Sequence, residues 1–261
     1  MDDKRIGLGV SLGAAALALG LGVATGRTLE HTLTETERAP MTTSLASAAA
    51  APKRYQVPVS DSQPATGAKD ALVTIVEWCD LPDAACAALE PSIRDVLAKN
   101  PETVRLVFRH YPRAERAGSM LAHEFARAAH QQAGKFWEAR ALLLEQKSDF
   151  TLEDAERYSA KLGLHWNDVR SGLDEHLFMT AISADRVFAG MFDAKDAPAL
   201  FVNGRALGEN PAPGALAALV HEELGRAVEL IASGVEKADV YTELTKHGAW
   251  TKPQIALNGN H

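Results

Sequence analysis

Two sulfur atoms and several carboxylates fall within one short stretch, Glu77-Trp78-Cys79-Asp80-Leu81-Pro82-Asp83-Ala84-Ala85-Cys86. A cysteine at the N-terminus of a helix is activated as a thiolate by the helix dipole, and nearby thiols pair in an oxidising compartment. The apolar run that ends at Trp78 reads as a buried strand, and the run from Asp83 to about Lys99 reads as a helix. The stretch is therefore a strand-to-helix junction, and the residue that opens the helix is Asp83. Aspartate is a favoured N-cap, and its charge suits the positive end of the dipole. It cannot form the mixed disulfide on which thiol–disulfide exchange depends. Cys79 sits at the strand end and Cys86 near the first helical turn. A disulfide requires Cα atoms roughly 4.4–6.8 Å apart, which a turn containing Pro82 allows. A Cys79–Cys86 disulfide, structural or redox-active, and two separate thiols with Cys86 as an inert core residue are both open readings.

Other chemistries find little support. With only two cysteines, neither a disulfide-rich scaffold nor a cysteine-built zinc site is available. Among the nine histidines, His123 and His130 lie two turns apart on one predicted helix, too far apart to act as paired ligands. His110 ends a strand, and His221-Glu222-Glu223 has no second histidine one turn on. No metal site and no cofactor are expected. There is no phosphate-binding loop, serine nucleophile elbow or paired-carboxylate hydrolase signature. A net charge of −7, a pI near 5.7 and the lack of a basic cluster argue against a nucleic-acid partner.

The elements that must hold the junction form a mixed α/β series. Tyr55–Val59 is expected to be a short edge strand, with Pro58 marking the edge. Ala71–Trp78 is β-branched without clean alternation, as in a strand covered on both faces. Thr103–His110 reads as the next strand. Helices are predicted over Gly118–Gln132, Phe136–Gln146, Leu152–Leu162 and Trp166 to about Arg186. Ala199–Asn203 and Arg205–Leu207 form a hairpin about Asn203-Gly204. Ala215–Ser233 carries apolar residues at helical spacing, and Glu236–Lys246 reads as a further short helix.

A β-α-β half, a helical insertion and a β-β-α half make up the order of an inserted thioredoxin fold. The chain resembles the DsbA-like branch of the thioredoxin superfamily from about Tyr55 to Ser233. The likeness rests on Val73-Thr-Ile-Val-Glu-Trp78, Glu90-Pro91, Val104-Arg-Leu-Val-Phe-Arg-His-Tyr-Pro112, Gly134-Lys-Phe-Trp-Glu138 and Ala197-Pro198-Ala-Leu-Phe-Val-Asn-Gly204, which occur in order. The resemblance implies an α/β thioredoxin fold with an inserted helical subdomain. It places Asp83 where the nucleophilic cysteine belongs, Cys86 at the second cysteine, and Glu77 at the buried acid that assists proton transfer. For Glu77, a desolvated carboxyl of raised pKa and one that reaches solvent or pairs with a cation are equal alternatives. The resemblance also implies a cis peptide bond at Ala197–Pro198, with backbone groups at 197 open to an extended peptide.

At the N-terminus, Lys4 and Arg5 precede an uncharged run from Ile6 to Gly26. Roughly 20 apolar residues suffice to span a bilayer, and a cleaved signal usually has a core of only ~7–15 residues. Residues 1–27 are accordingly expected to be a membrane anchor, or alternatively a cleaved export signal. Residues 28–54 read as a flexible linker, 55–233 as the DsbA-like domain and 234–261 as a helix and tail. Either N-terminal reading puts the domain in the periplasm or on another extracytoplasmic face. The expected function is a non-catalytic module with a degenerate site that binds extended peptides or exported proteins. The alternative is an atypical oxidoreductase using Cys79 and Cys86, with Glu77 as its acid.

Overall fold

The structure is a computed structural model that describes residues 53–249, except Asp193, Lys195, Glu209 and Asn210. The expected N-terminal anchor and the end of the tail lie outside the described residues. Among the described residues, five strands form one sheet in the order β1-β3-β2-β4-β5. They are β1 (Ala65–Thr66), β2 (Val73–Cys79), β3 (Val104–His110), β4 (Ala199–Val202) and β5 (Arg205–Ala206). β2 runs parallel to β3 and antiparallel to β4, and β1 and β5 close the two edges antiparallel to their neighbours.

All of β2 is buried, as expected of a central strand. Side chains alternate across a strand, and here the period of two sorts the chemistry. Val73 and Ile75 pack with Ile93 and Val96 of α1 (Ala84–Lys99) and with Leu216 and Val220 of α7 (Ala215–Ala232). Val76 and Trp78 pack on the opposite face with Phe192 and Phe201. Glu77 and Cys79 share the first register, so β2 presents its acid and its sulfur to the face covered by the Cys86 helix.

The insertion consists of α2 (Ser119–Ala133), α3 (Phe136–Leu144), α4 (Leu152–Leu162), α5 (Trp166–Asp174) and α6 (Met179–Met191). Phe125, Phe136, Leu143, Phe150 and Ile182 form its core, which is continuous with Cys79 and Cys86. α4 begins on a capping box in which Thr151 and Asp154 bond each other's backbone N–H. Asn203 and Gly204 both have positive φ, as the predicted hairpin requires. The Asn203 side chain also accepts from Thr74 N–H and donates to Leu72 O, tying the hairpin to β2. This is the expected α/β architecture, a thioredoxin fold with an inserted helical subdomain.

Three expectations are corrected. Tyr55–Val59 is not a sheet strand; it makes a single bridge, Tyr55 to Ala249, and its Pro58 carbonyl accepts from Arg109. The edge place beside β3 belongs instead to Ala65–Thr66. The helix predicted over Trp166 to about Arg186 is two helices, parted at His176, whose φ is 52°. The segment from Glu236 to Lys246 forms a 3-10 turn (Lys237–Asp239) and α8 (Val240–Thr245). Val240 is buried there against Ala227 and Leu72. Among the described residues no helix is long and apolar enough to cross a membrane.

Candidate functional site

The site is built at the C-terminal end of β2. Cys79 is the last residue of that strand and Cys86 lies in the first turn of α1. They are disulfide-bonded, with Cα atoms 5.9 Å apart. Both are fully buried in the insertion core, beside Leu81, Phe108, Ala122 and Phe125. Exchange needs a thiolate to reach a sulfur from outside, and neither sulfur offers a surface.

The helix tip belongs to Asp83. Its backbone is extended, its Oδ1 accepts the Ala85 N–H at 2.7 Å, and it caps α1 as expected. Its Oδ2 receives Arg116 Nη2 at 2.7 Å and lies 3.7 Å from Arg113 Nε. A helix N-terminus and two guanidiniums thus converge on one buried carboxylate. Asp83→Ala is expected to lose about 0.5–2 kcal/mol of stability and Asp83→Asn distinctly less, because Asn also caps; urea unfolding of both variants checks this.

Opposite the tip, Ala197–Pro198 is cis, as the resemblance implied. The backbone of Ala197 is not free, however. Its N–H donates to Asp196 Oδ1 at 2.8 Å, and its carbonyl accepts from Arg113 Nη2 at 2.6 Å. Arg113 and Asp196 also pair at 2.9 Å. A strand added at residue 197 must displace both side chains. Alongside, a cavity of about 390 Å³ is lined by Arg113, Arg116, Arg186, Met120, Leu121 and Phe150.

Glu77 realises both of its alternatives. It is fully buried, and it meets Arg140 of α3 through both oxygens, at 3.0 and 2.9 Å. Burial raises its pKa above the ordinary carboxylate value, and the Arg140 charge opposes the rise. Arg140 also pairs with Glu90. The acid is thus held in an ion pair with Arg140.

A further polar chain runs behind the disulfide. Asp80 is buried and accepts from Ser119 Oγ at 2.7 Å. Its Oδ2 lies 3.2 Å from Arg116 Nε, and its Oδ1 lies 3.2 Å from His123 Nε2. His123 Nδ1 lies 2.7 Å from His110 Nδ1. Sequence reading missed Arg113, Arg116, Arg140, Asp80 and the His110–His123 pair. Only Arg140 left a trace, since it stands four residues after the apolar Phe136, on the same helix face. Among the described residues no group of three or more His, Cys, Asp or Glu is placed to hold a metal.

A sheet-and-helix fold with a buried disulfide at a strand-to-helix junction, and a cis-proline just before the strand paired with it, is that of a thioredoxin-like protein. The family profile described as Thioredoxin matches residues 60–222, and the chain belongs to that family. The curated relatives include Na(+)/H(+) antiporter NhaA 3 of Salinispora tropica, 34% identical over 151 residues, which are 57% of this chain and 23% of the antiporter. The chain thus spans less than a quarter of that relative. Solved structures that share the fold include the following two. Oxidised BdbD from Bacillus subtilis has a TM-score of 0.59 and 20% identity, covering 67% of this chain and 98% of BdbD. The thiol-disulfide exchange protein alpha-DsbA2 from Wolbachia pipientis has a TM-score of 0.57 and 17% identity, covering 62% and 88%.

Proposed function

We propose that this chain is an extracytoplasmic, N-terminally tethered thioredoxin-fold module that binds polypeptide without exchanging disulfides. The observation that carries this reading is the identity of the helix tip. A carboxylate held by Arg113 and Arg116 occupies the electrostatic niche of a thiolate, while the two cysteine sulfurs are joined and buried. Asp83 stands for the attacking cysteine, and Cys79–Cys86 is a staple. An incoming peptide meets Arg113 on the Ala197 carbonyl. A peptide carboxylate offers that guanidinium a replacement partner, and Met120, Leu121 and Phe150 offer an apolar floor. Acidic extended segments of exported proteins are therefore the proposed partners. Export and tethering rest on the apolar run between Arg5 and Arg27.

A second reading is favoured by the disulfide itself, since Cys79 and Cys86 are paired and lie near a buried acid. In that case the pair is redox-active. Insulin reduction separates the two. The wild-type protein is expected to give no turnover above the reductant background. The double variant Cys79→Ala/Asp83→Cys rebuilds a Cys-x-x-Cys at the helix tip, where the dipole and the two arginines favour a thiolate. It is expected to gain activity by roughly tenfold or more, in keeping with a well-placed nucleophile. Wild-type turnover that Cys79→Ser abolishes would sink the first reading and establish the second.

A further inference from the structure

One side chain bridges the α1 tip and the cis-proline segment. Arg113 Nε lies 3.7 Å from Asp83 Oδ2 at the tip. Its Nη2 donates to the Ala197 carbonyl at 2.6 Å and lies 2.9 Å from Asp196 Oδ1. The same Asp196 oxygen accepts the Ala197 N–H at 2.8 Å. N–H, carboxylate, guanidinium and carbonyl thus close a ring, which requires the two backbone groups of Ala197 to face one side.

An added strand uses that arrangement. In a hydrogen-bonded antiparallel pair, the two opposed residues exchange both N–H···O=C bonds. At Ala197 both bonds are already made, one by a carboxylate and one by a guanidinium. The Asp196–Arg113 pair therefore stands in for a residue of a captured segment.

The root of Arg113 is fixed while its tip is free to swing. Its N–H donates to Ser119 Oγ at 3.1 Å, and its carbonyl accepts the Arg116 N–H at 3.2 Å. Pro112 before it has a set φ. Opening the ring therefore needs a side-chain rotation and no backbone movement. The Asp196 side chain is 64% exposed, so water screens the pair and a competitor is able to displace it. Glu115, another exposed carboxylate, has Oε1 4.0 Å from Arg113 Nη1 and offers the guanidinium a second partner when it leaves Ala197.

We propose that Asp196 and Arg113 form an autoinhibitory latch, which fills the strand-addition position at Ala197 and opens when a captured segment turns the Arg113 side chain away. The latch rests on the reading of this chain as a peptide-binding module. It also sorts segments by charge. An acidic segment gives Arg113 a carboxylate in place of Asp196, whereas a neutral one parts the two charges without replacement.

Fluorescence anisotropy on the intact protein tests it with two labelled heptapeptides. One alternates threonine and valine; the other has glutamate in place of the central threonine. Asp196→Ala removes the acceptor of the Ala197 N–H and the carboxylate that steadies Arg113. It is expected to tighten binding of both peptides by about fivefold, the upper range for an exposed ion pair. Raising sodium chloride from about 0.05 to 0.5 M is expected to tighten binding of the neutral peptide to wild type by about twofold, since salt screens the latch, and to leave Asp196→Ala unaffected. Without peptide, the Ala197 amide is expected to exchange with solvent about fivefold faster in Asp196→Ala, for want of its acceptor. An unchanged unfolding temperature shows that the variant keeps its fold. Equal peptide affinity in the two proteins, a salt response shared by both, or an Ala197 amide that exchanges no faster in the variant each overturns the latch and leaves the peptide-binding reading in place. No binding of either peptide by either protein sinks that reading, and the latch with it.

Discussion

Arg140→Met is expected to destabilise the folded protein by about 3–5 kcal/mol, because it leaves Glu77 as an uncompensated buried charge. The loss has a pH signature. Burial already raises the Glu77 carboxyl above its ordinary value of 4.5, and Arg140 is what opposes the rise. A folded chain that holds this proton more tightly than the unfolded chain gains stability from it at and below 4.5. That gain disappears as pH climbs through the folded value. Without Arg140 the folded value climbs further, so the variant should lie closest to wild type near pH 4.5 and fall furthest behind at neutral pH. Adding Glu77→Gln removes the buried charge and is expected to restore most of the loss. Urea unfolding of the single and double variants at the two pH values measures all of this. An Arg140→Met protein as stable as wild type at neutral pH would show that the pair contributes nothing.

The second large effect concerns the disulfide. Cys79→Ala/Cys86→Ala is expected to lose about 2–3 kcal/mol, the chain-entropy value for so short a loop. The melting temperature should drop by roughly 5–10 °C at this chain length. Because both sulfurs are buried among Leu81, Phe108 and Phe125, dithiothreitol should leave the native bond intact for as long as the protein stays folded. Thiol counting should then find no reactive sulfur in the native protein with reductant, and two once denaturant is added. Rapid reduction of the folded protein would show that the sulfurs are open to exchange, and would count against the staple.

Much of the scaffold was legible because it rests on local pattern. The strand to Trp78, the Asp83 cap, the Leu152–Leu162 helix and the Asn203-Gly204 turn each follow from residue type and period. The disulfide was left open, since its formation depends on β2 and α1 presenting Cys79 and Cys86 to the same face. Short elements escaped. β1 has two residues and no periodicity to read, and the break at His176 comes from one residue with positive φ inside an apolar helical pattern. Tyr55–Val59 has strand composition but joins the fold through one bridge and scattered backbone hydrogen bonds, to the Gly204 carbonyl, Arg109 and Tyr241. The site escaped more widely, because its polar partners are distant in sequence. Glu77 meets Arg140, Asp83 meets Arg116 and His110 meets His123 only after the insertion folds over the junction. A lone sequence carries no record of which arginine answers which acid.

The sheet ends at both sides in strands of two residues each. A long bare strand is a template for stacking one copy upon another, and these are too short to serve. The consequence is colloidal: concentrated solutions of this protein should resist fibre formation, and its surface should accept no neighbour by lateral sheet growth. Among the described residues, the arginines around Asp83 and the neighbouring side-chain cleft are then the surface that meets a captured segment.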